Sequence, residues 1–413
     1  MSALLLAGGQ LLDPLHDQLL GRHDVLIEDG KIKEVSDKEI KASHATVIDL
    51  TGKTIMPGLI DLHVHVMATQ LNLSTQGLLP DALVMLRAVP IMKAMLRRGF
   101  TTVRDAGGAG WGLKSAVEEG TVVGPRLFIA GRAISQTGGH GDPRPRSDHL
   151  RPMSICGCCF RAGDIGRVAD GVDEVTKAVR EELQMGADQI KIMASGGVAS
   201  PTDPIASWGY SDDEIKAIVH EARARQTYVM AHSYTAEAIA RAIRLGVRTI
   251  EHGNLIDTAT AELMHEMGAF VVPTLVTYEA LAKEGAQYGL PPDSVEKIAD
   301  VREAGLASLE IYKKAKVKMG YGSDLLGPSQ RLQSEEFRIR NSVLSNQEVI
   351  QSATTIAAEV LNQEGSLGRL VPGAMADVIA VDGDPMKDVS CLLGQGDHIP
   401  LVIKGGAIQF NEL

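Results

Sequence analysis

Apolar and polar positions follow two different rhythms along this chain. Residues 24–35, "DVLIEDGKIKEV", alternate around an Asp29-Gly30 pair, the signature of two strands joined by a tight hairpin. The far end repeats the pattern: "GAMADVIAVDGDP" (373–385) and "LVIKGGAIQF" (401–410) are short apolar runs parted by Gly and Asp turns. Between these ends, short apolar runs take turns with segments of helical period. "SDDEIKAIVHEARAR" (211–225) opens with Ser211 and Glu214 at capping-box spacing and continues with Ile215, Ile218 and Val219 on one face. "TYVMAHS" then reads as a strand, "TAEAIARAIRLG" as a helix, "VRTIEHG" as a strand, "TAELMHEMG" as a helix and "AFVVPTL" as a strand.

Eight strand candidates emerge, near 57–65, 100–106, 126–131, 188–194, 227–233, 248–252, 269–275 and 319–324. Eight strands, each followed by a helix or a long loop, predict an α/β fold: a parallel (β/α)8 barrel of the TIM type over residues 57–365. The two β-rich ends, 1–56 and 366–413, predict one small β-sandwich domain built from both termini.

Composition narrows the possible functions. A chain of 413 residues can bury a large core, and 44% hydrophobic with 23% charged residues is ordinary for a globular protein. A net charge of −11 lacks the basic footprint that nucleic acid or an anionic membrane surface requires. No run reaches the ~18 apolar residues of a membrane span, and "MSALLLAGGQ" has neither the basic start nor the length of a signal segment. The expectation is a cytoplasmic protein acting on a small molecule, with assembly into a homo-oligomer left open. Cys156, Cys158 and Cys159 in "SICGCCF" have no matching second Cys pair to complete a zinc ribbon, so reduced loop thiols are expected there.

The chemistry concentrates at strand ends, where barrels of this type build their active sites. "GLIDLHVHV" (58–66) carries His63 and His65 two positions apart, so both imidazoles project from one side of a strand. The fourth strand holds Lys191 inside an apolar run, the fifth ends in His232, the sixth in His252 and the eighth in Asp324. Each has an ordinary alternative: a Lys that snorkels to a surface, an Asp that caps a helix, a His that is merely hydrogen-bonded. Their convergence on one end of consecutive strands favours metal binding. Four His and one Asp exceed one tetrahedral site and suit two divalent ions, zinc foremost. Burial lowers a lysine's pKa, and a neutral Lys191 amine can take up carbon dioxide to give a carbamate able to bridge two cations.

The HVH motif, the strand-four Lys, the two later His and the strand-eight Asp resemble the amidohydrolase superfamily with a binuclear centre, and the likeness spans essentially the whole chain. "TGGHGD" (137–142), "ASGGVASPTDP" (194–204) and "AHSYTAEAI" (231–239) are similar to its prolidase-like dipeptidase branch, related to imidazolonepropionase. Imidazolonepropionases keep one metal and lack the bridging Lys, so Lys191 argues against that member. The resemblance implies that His63, His65 and Asp324 hold one metal, that His232 and His252 hold the second, and that carboxylated Lys191 bridges them. It further implies a metal-bridging hydroxide as attacking group, with Asp324 relaying its proton to the leaving amine.

His140, in a long loop from Ser135 to about Arg161, is expected to polarise the scissile carbonyl or steady the oxyanion. Tyr234 is expected at the substrate carboxylate. A loop after strand seven, "LVTYEALAKEG" from Leu275, is expected to supply a side-chain pocket through Val276 and Tyr278. Those residues are apolar or neutral and suit proline, so Xaa-Pro dipeptides and N-acyl-prolines are the expected substrates. The alternatives are dipeptides with a basic C-terminal residue, for which Glu279 is the nearest acid, dipeptides with an aromatic one, or a cyclic amide. A binding protein that kept the fold and lost catalysis is disfavoured because all six ligand positions are filled. Arg104 and Asp105, adjacent in "TTVRDAGG", are expected to form a structural ion pair.

Overall fold

The Asp29-Gly30 turn takes the form its sequence demands. Both residues adopt positive φ, 48° and 77°, and the flanking strands pair antiparallel with Glu28 opposite Lys31. A computed structural model describes residues 3–142, 144, 163–198, 203–289 and 292–413. The first five strands, β1 (Leu4–Leu11), β2 (Arg22–Glu28), β3 (Lys31–Ser36), β4 (Thr46–Asp49) and β5 (Thr54–Pro57), belong to one sheet with strands from the far end of the chain. Ten strands later in the sequence than β5 fill the middle of the chain, and the last three are β16 (Val378–Val381), β17 (Leu401–Lys404) and β18 (Ala407–Asn411). The sheet order is β18-β17-β16-β5-β1-β2-β3, with β4 beside β1. The join between the two ends is the antiparallel pair of β5 and β16, from Val378 opposite Pro57 to Val381 opposite Thr54. Leu6, Val25, Ile27, Ile55, Val378 and Ile403 form its core and are almost wholly buried.

The middle of the chain is parallel throughout. One sheet comprises β6 (Leu59–Val64), β7 (Phe100–Asp105) and β8 (Arg126–Ile129). The other runs β10 (Gly166–Val168), β9 (Ala133–Ser135), β11 (Ile190–Met193), β12 (Val229–Thr235), β13 (Thr249–Leu255), β14 (Phe270–Val272) and β15 (Lys318–Met319). Seven of the eight expected segments contain a strand or most of one, the eighth overlaps β15 only at Met319, and two short strands, β9 and β10, are additional.

The last expected strand, 319–324, is regular only to Met319. Beyond it the chain is squeezed between β6 and β14: a Cβ on Gly320 would meet Leu62 at 2.4 Å, and one on Gly322 would meet Val272 at 2.3 Å. Backbone bonds run across this gap, from Leu62 N–H to Tyr321 C=O (2.8 Å), from Gly320 N–H to Val271 C=O (2.8 Å) and from Asp324 N–H to His63 C=O (2.7 Å). On the other flank, Asp188 N–H donates to Ile129 C=O at 2.7 Å. The two parallel sheets are therefore stitched on both sides.

Helices lie between the strands as their periodicity requires. The helix Asp212–Ala224 starts at the Ser211–Glu214 capping box and buries Ile215, Ile218, Val219 and Ala222, one continuous stripe. Burying each large aliphatic chain there contributes about 1.5–3 kcal/mol. The segment from Leu275, expected as a loop, is instead a helix, Leu275–Glu284. Its own sequence offers no side-chain cap at Thr274, which takes φ 53°. The Glu336 carboxylate, from the helix Glu335–Asn341, accepts the Val276 N–H at 2.7 Å instead.

Arg104 does not pair with Asp105. Neighbours on a strand point to opposite faces, and Arg104 lies inside the parallel sheets with both Nη2 bonds on Glu251, at 2.9 and 3.0 Å. Its Nε donates to Leu62 C=O at 2.6 Å, and its Nη1 reaches Thr249 Oγ1 at 3.2 Å. Asp105 turns the other way and accepts the N–H groups of Val66, Gly107 and Ala109. Arg104 and Glu251 are both fully buried. Removing one partner of such a pair strands the other charge. Arg104→Met is thus expected to destabilise the protein by about 3–5 kcal/mol, measured by urea unfolding. A loss under about 1 kcal/mol would show that the ion pair is dispensable.

Candidate metal centre

His63 and His65 stand at the C-terminal end of β6 and both face Asp324. His63 Nε2 lies 3.5 Å and His65 Nε2 3.3 Å from Asp324 Oδ1. These three side chains can hold a metal ion, with one donor atom from each within 4.8 Å of the others. The outer nitrogens are already engaged: His63 Nδ1 contacts Glu251 Oε2 at 2.7 Å, and His65 Nδ1 contacts Gly107 C=O at 2.9 Å. Each hydrogen bond fixes the ring and leaves its Nε2 lone pair directed at the shared carboxylate.

The other expected residues gather around this trio. His252, in the middle of β13, lies with its ring tilted 5.1 Å from His63 and edge-on 4.6 Å from His232 between centroids, and its Nδ1 is 3.9 Å from Asp324 Oδ2. His232, on β12, bonds Gly196 C=O through Nε2 at 3.1 Å. His140 stacks on His232 at 4.2 Å, nearly parallel. Tyr234 lies against His252 at 5.4 Å, and its hydroxyl meets that of Tyr278 at 3.0 Å. Lys191 is 1% exposed, in the field of Glu251 and Asp324. Val276 stands apart: its side chain joins the main apolar core, whereas Tyr234 and Tyr278 share a separate cluster with Leu71, Val198 and Leu281. Most of the expected 135–161 loop, including Cys156, Cys158 and Cys159, falls outside the described residues.

The electrostatics suit a divalent cation. Burial, with Lys191 adding to it, pushes the His63 imidazole well below its ordinary pKa, and burial does the same to His232. His252 falls to about 3 and His140 to about 4, again chiefly through burial. These rings are therefore neutral at pH 7, the form that donates a lone pair. Burial opposes charge on Asp324 too, but His63, His65 and His252 hold its carboxyl well below the usual range. Burial lowers Lys191 to about 8, which leaves a usable fraction of neutral amine. Burial opposes charge on His65 as well, but its hydrogen bond to Asp324 raises its pKa, so a metal ion would displace that proton. Imidazoles around one anionic carboxylate are a donor set that fits zinc or a similar ion.

Backbone strain marks the same spot. His252, Thr274 and Asp324 take φ of 73°, 53° and 50°, conformations that non-glycine residues rarely adopt. Such strain persists where surrounding structure holds it and clusters at functional sites. Thr274 uses its hydroxyl to bond His252 Nδ1 at 2.8 Å.

Several contributors escaped the sequence reading. Glu251 precedes His252 in "TIEHGN" and is a buried acid amid strand residues, a signal available to inspection. Asp61, two before His63, accepts the His63 N–H at 3.0 Å and the Ser323 hydroxyl at 2.6 Å, tying the HVH strand to the residue before Asp324. Asp203 brings a carboxylate within 3.9 Å of His140, and burial raises its pKa to about 6.

Comparison with known proteins decides the family: a model of the amidohydrolase family matches residues 54–408. The chain belongs to that family. A solved amidohydrolase shares 69% of its sequence and superposes with a TM-score of 0.98 over all of both chains. A prolidase solved in complex with N-methylphosphonate-L-proline is 57% identical, with a TM-score of 0.96 over 98% of this chain and 99% of that one. Ochratoxinase of Aspergillus niger is 31% identical over 407 residues, 96% of this chain and 83% of the relative.

In this amidohydrolase the bond from Glu251 to His63 Nδ1 orients a prospective ligand. Glu251→Gln removes the charge that makes His63 a stronger donor. It is expected to weaken divalent-metal binding by about 10- to 100-fold, read on folded protein by competition with a chelator. Unchanged affinity would remove Glu251 from the metal site's support.

Proposed function

We propose that this amidohydrolase cleaves the amide bond of Xaa-Pro dipeptides and N-acyl-prolines. One observation carries the reading: Tyr234 and Tyr278 stand against His252 of the His–Asp cluster, and they form a neutral wall backed by the buried residues Leu71, Val198 and Leu281. A compact, apolar proline ring fits such a wall, and its imide nitrogen needs no donor's partner. The prolidase at 57% identity supports the same reading, since its ligand carries a tetrahedral phosphonate on the nitrogen of proline.

In this proposal His63, His65 and Asp324 hold one divalent ion, and His232 and His252 hold a second. Lys191, once carboxylated by carbon dioxide, would add a further carboxylate ligand to these ions. Zinc is the preferred ion for such nitrogen and oxygen donors. Ions bound there supply Lewis acidity, activating water and polarising the scissile carbonyl. Asp324, the partly exposed carboxylate among buried imidazoles, takes the proton of the attacking water and delivers it to the leaving proline nitrogen. His140 donates a hydrogen bond to the oxygen on which negative charge develops. Burial holds the Tyr234 and Tyr278 hydroxyls in their protonated, donating forms, and Tyr234 bonds the substrate carboxylate. Val276 acts through the start of its helix, which carries Tyr278.

The stitched sheets support one closed (β/α)8 barrel over 57–365, and the β5–β16 pair supports a small β-sandwich unit from 1–56 and 366–413.

A basic C-terminal residue is less well served. Glu279, the acid expected to serve such a residue, is engaged by Arg302 at 2.7 Å, and an unpartnered buried cation is costly. The ochratoxinase relative keeps a second reading in play, cleavage of a different amide, and a substrate screen separates the two.

The metal assignment predicts about two divalent ions per chain by elemental analysis. Lys191→Ala is expected to abolish most activity, with short carboxylic acids restoring part of it in place of the carbamate. Full activity with one ion per chain would sink the binuclear reading.

For substrates, kcat/KM is expected to be higher for Xaa-Pro and N-acyl-proline than for Xaa-Arg, Xaa-Lys or Xaa-Phe. Tyr234→Phe is expected mainly to raise KM, by about 10- to 100-fold, the ~1.5–3 kcal/mol of a hydrogen bond to a charged group. Xaa-Arg or Xaa-Phe outperforming Xaa-Pro would overturn the proline assignment.

A further inference from the structure

His140 is held by a segment that none of the roles above uses. Its own neighbours give it little support: Gly138, Gly139 and Gly141 have no side chains to pack against the ring. The ring instead lies between His232, stacked at 4.2 Å, and the backbone after β11. A Cβ on Gly197 would fall 2.1 Å from His140 Cε1 and 2.2 Å from its Nδ1, so only glycine allows this approach. The Gly197 N–H donates to Asp203 Oδ2 at 2.8 Å, and that same oxygen faces His140 Nδ1 at 3.9 Å. Asp203 is 6% exposed. Lys297, from the helix Pro292–Lys314, binds the two points of the segment, donating to Gly197 C=O at 3.3 Å and to Asp203 C=O at 2.8 Å.

We propose that Asp203 is a positioning residue for His140: together with Gly197 and Lys297 it fixes where that imidazole meets the reacting carbonyl. The proposal rests on the role given to His140 under the proposed function. Three contacts of different kinds converge on one ring: a carboxylate, a close backbone approach and a stacked imidazole. A residue serving only the loop's stability would not need to face the imidazole. A loosened ring still binds near substrate but loses its aim at the developing charge, so the cost falls on turnover.

The test is a double-mutant cycle on the metal-loaded enzyme, with Ala-Pro and N-acetyl-L-proline as substrates and with metal content and Tm recorded for each variant. His140→Ala is expected to lower kcat by about 10²- to 10³-fold. Asp203→Asn alone is expected to lower kcat by about tenfold, with KM within about twofold and metal content unchanged. In the His140→Ala background Asp203→Asn should cost nothing more, because the residue it positions is gone. Gly197→Ala, which displaces the ring without touching charge, should follow the same non-additive pattern and serves if Asp203→Asn does not fold. Wild-type kcat in both single variants, or equal losses with and without His140, would refute the proposal. If the parent enzyme cleaves neither substrate, the proline assignment has failed, and the same cycle is run on the amide found by the screen.

Discussion

The ion pair between Arg104 and Glu251 is the constraint around which the rest of this protein is arranged. Two opposite charges with no exposure to solvent are stable only while each satisfies the other. Arg104 spends its remaining donors on Leu62 C=O and on Thr249, so one guanidinium ties β7 to β6 and β13. Glu251 also accepts from the Thr249 hydroxyl and meets His63 through its other oxygen. A single buried chain of contacts therefore runs from the strand framework to the HVH motif, and framework and chemistry cannot be altered independently.

At the far end of that chain the protein separates charge with care. Several imidazoles are kept neutral by burial, while His65 hydrogen-bonds the one carboxylate among them and helps hold it in its charged form against that burial. Asp324 achieves this from a strained backbone position, and His252 and Thr274 share the strain. Asp61 links the two sides through the His63 N–H and the Ser323 hydroxyl. The cluster is thus prepared by the fold rather than assembled by whatever binds there.

Much of this arrangement was legible in the chain. Alternation around Asp29-Gly30 and the Ser211–Glu214 capping box each produced the local structure they encode, because the determinants lie within a few residues of one another. The HVH spacing, Lys191, His232, His252 and Asp324 marked positions that do converge, although His232 and His252 lie inside strands that run on to Thr235 and Leu255 and Asp324 lies beyond its strand. What could not be read depends on distant partners. Arg104 finds its carboxylate 147 residues away, and sequence adjacency to Asp105 pointed to the wrong partner. The helix at Leu275 lacks a cap of its own and borrows Glu336, 60 residues on, so its start looked like a loop. β9 and β10, three residues each, are strands only because neighbours pair with them.

The pairing of β5 with β16 has a consequence for how the molecule is made. The sheet joins Ile55 to Ala380, so that rung cannot form until the two parallel sheets between them in the sequence have been synthesised. Until then β5 is an uncapped edge, a form open to pairing with other chains. The opening hairpin of β2 and β3 can form early from local contacts, but the apolar face it presents must wait for strands made last. Contacts of such long sequence separation slow folding. The layer that β1 to β5 begin is thus completed by a docking event, when strands from beyond the two parallel sheets arrive beside them.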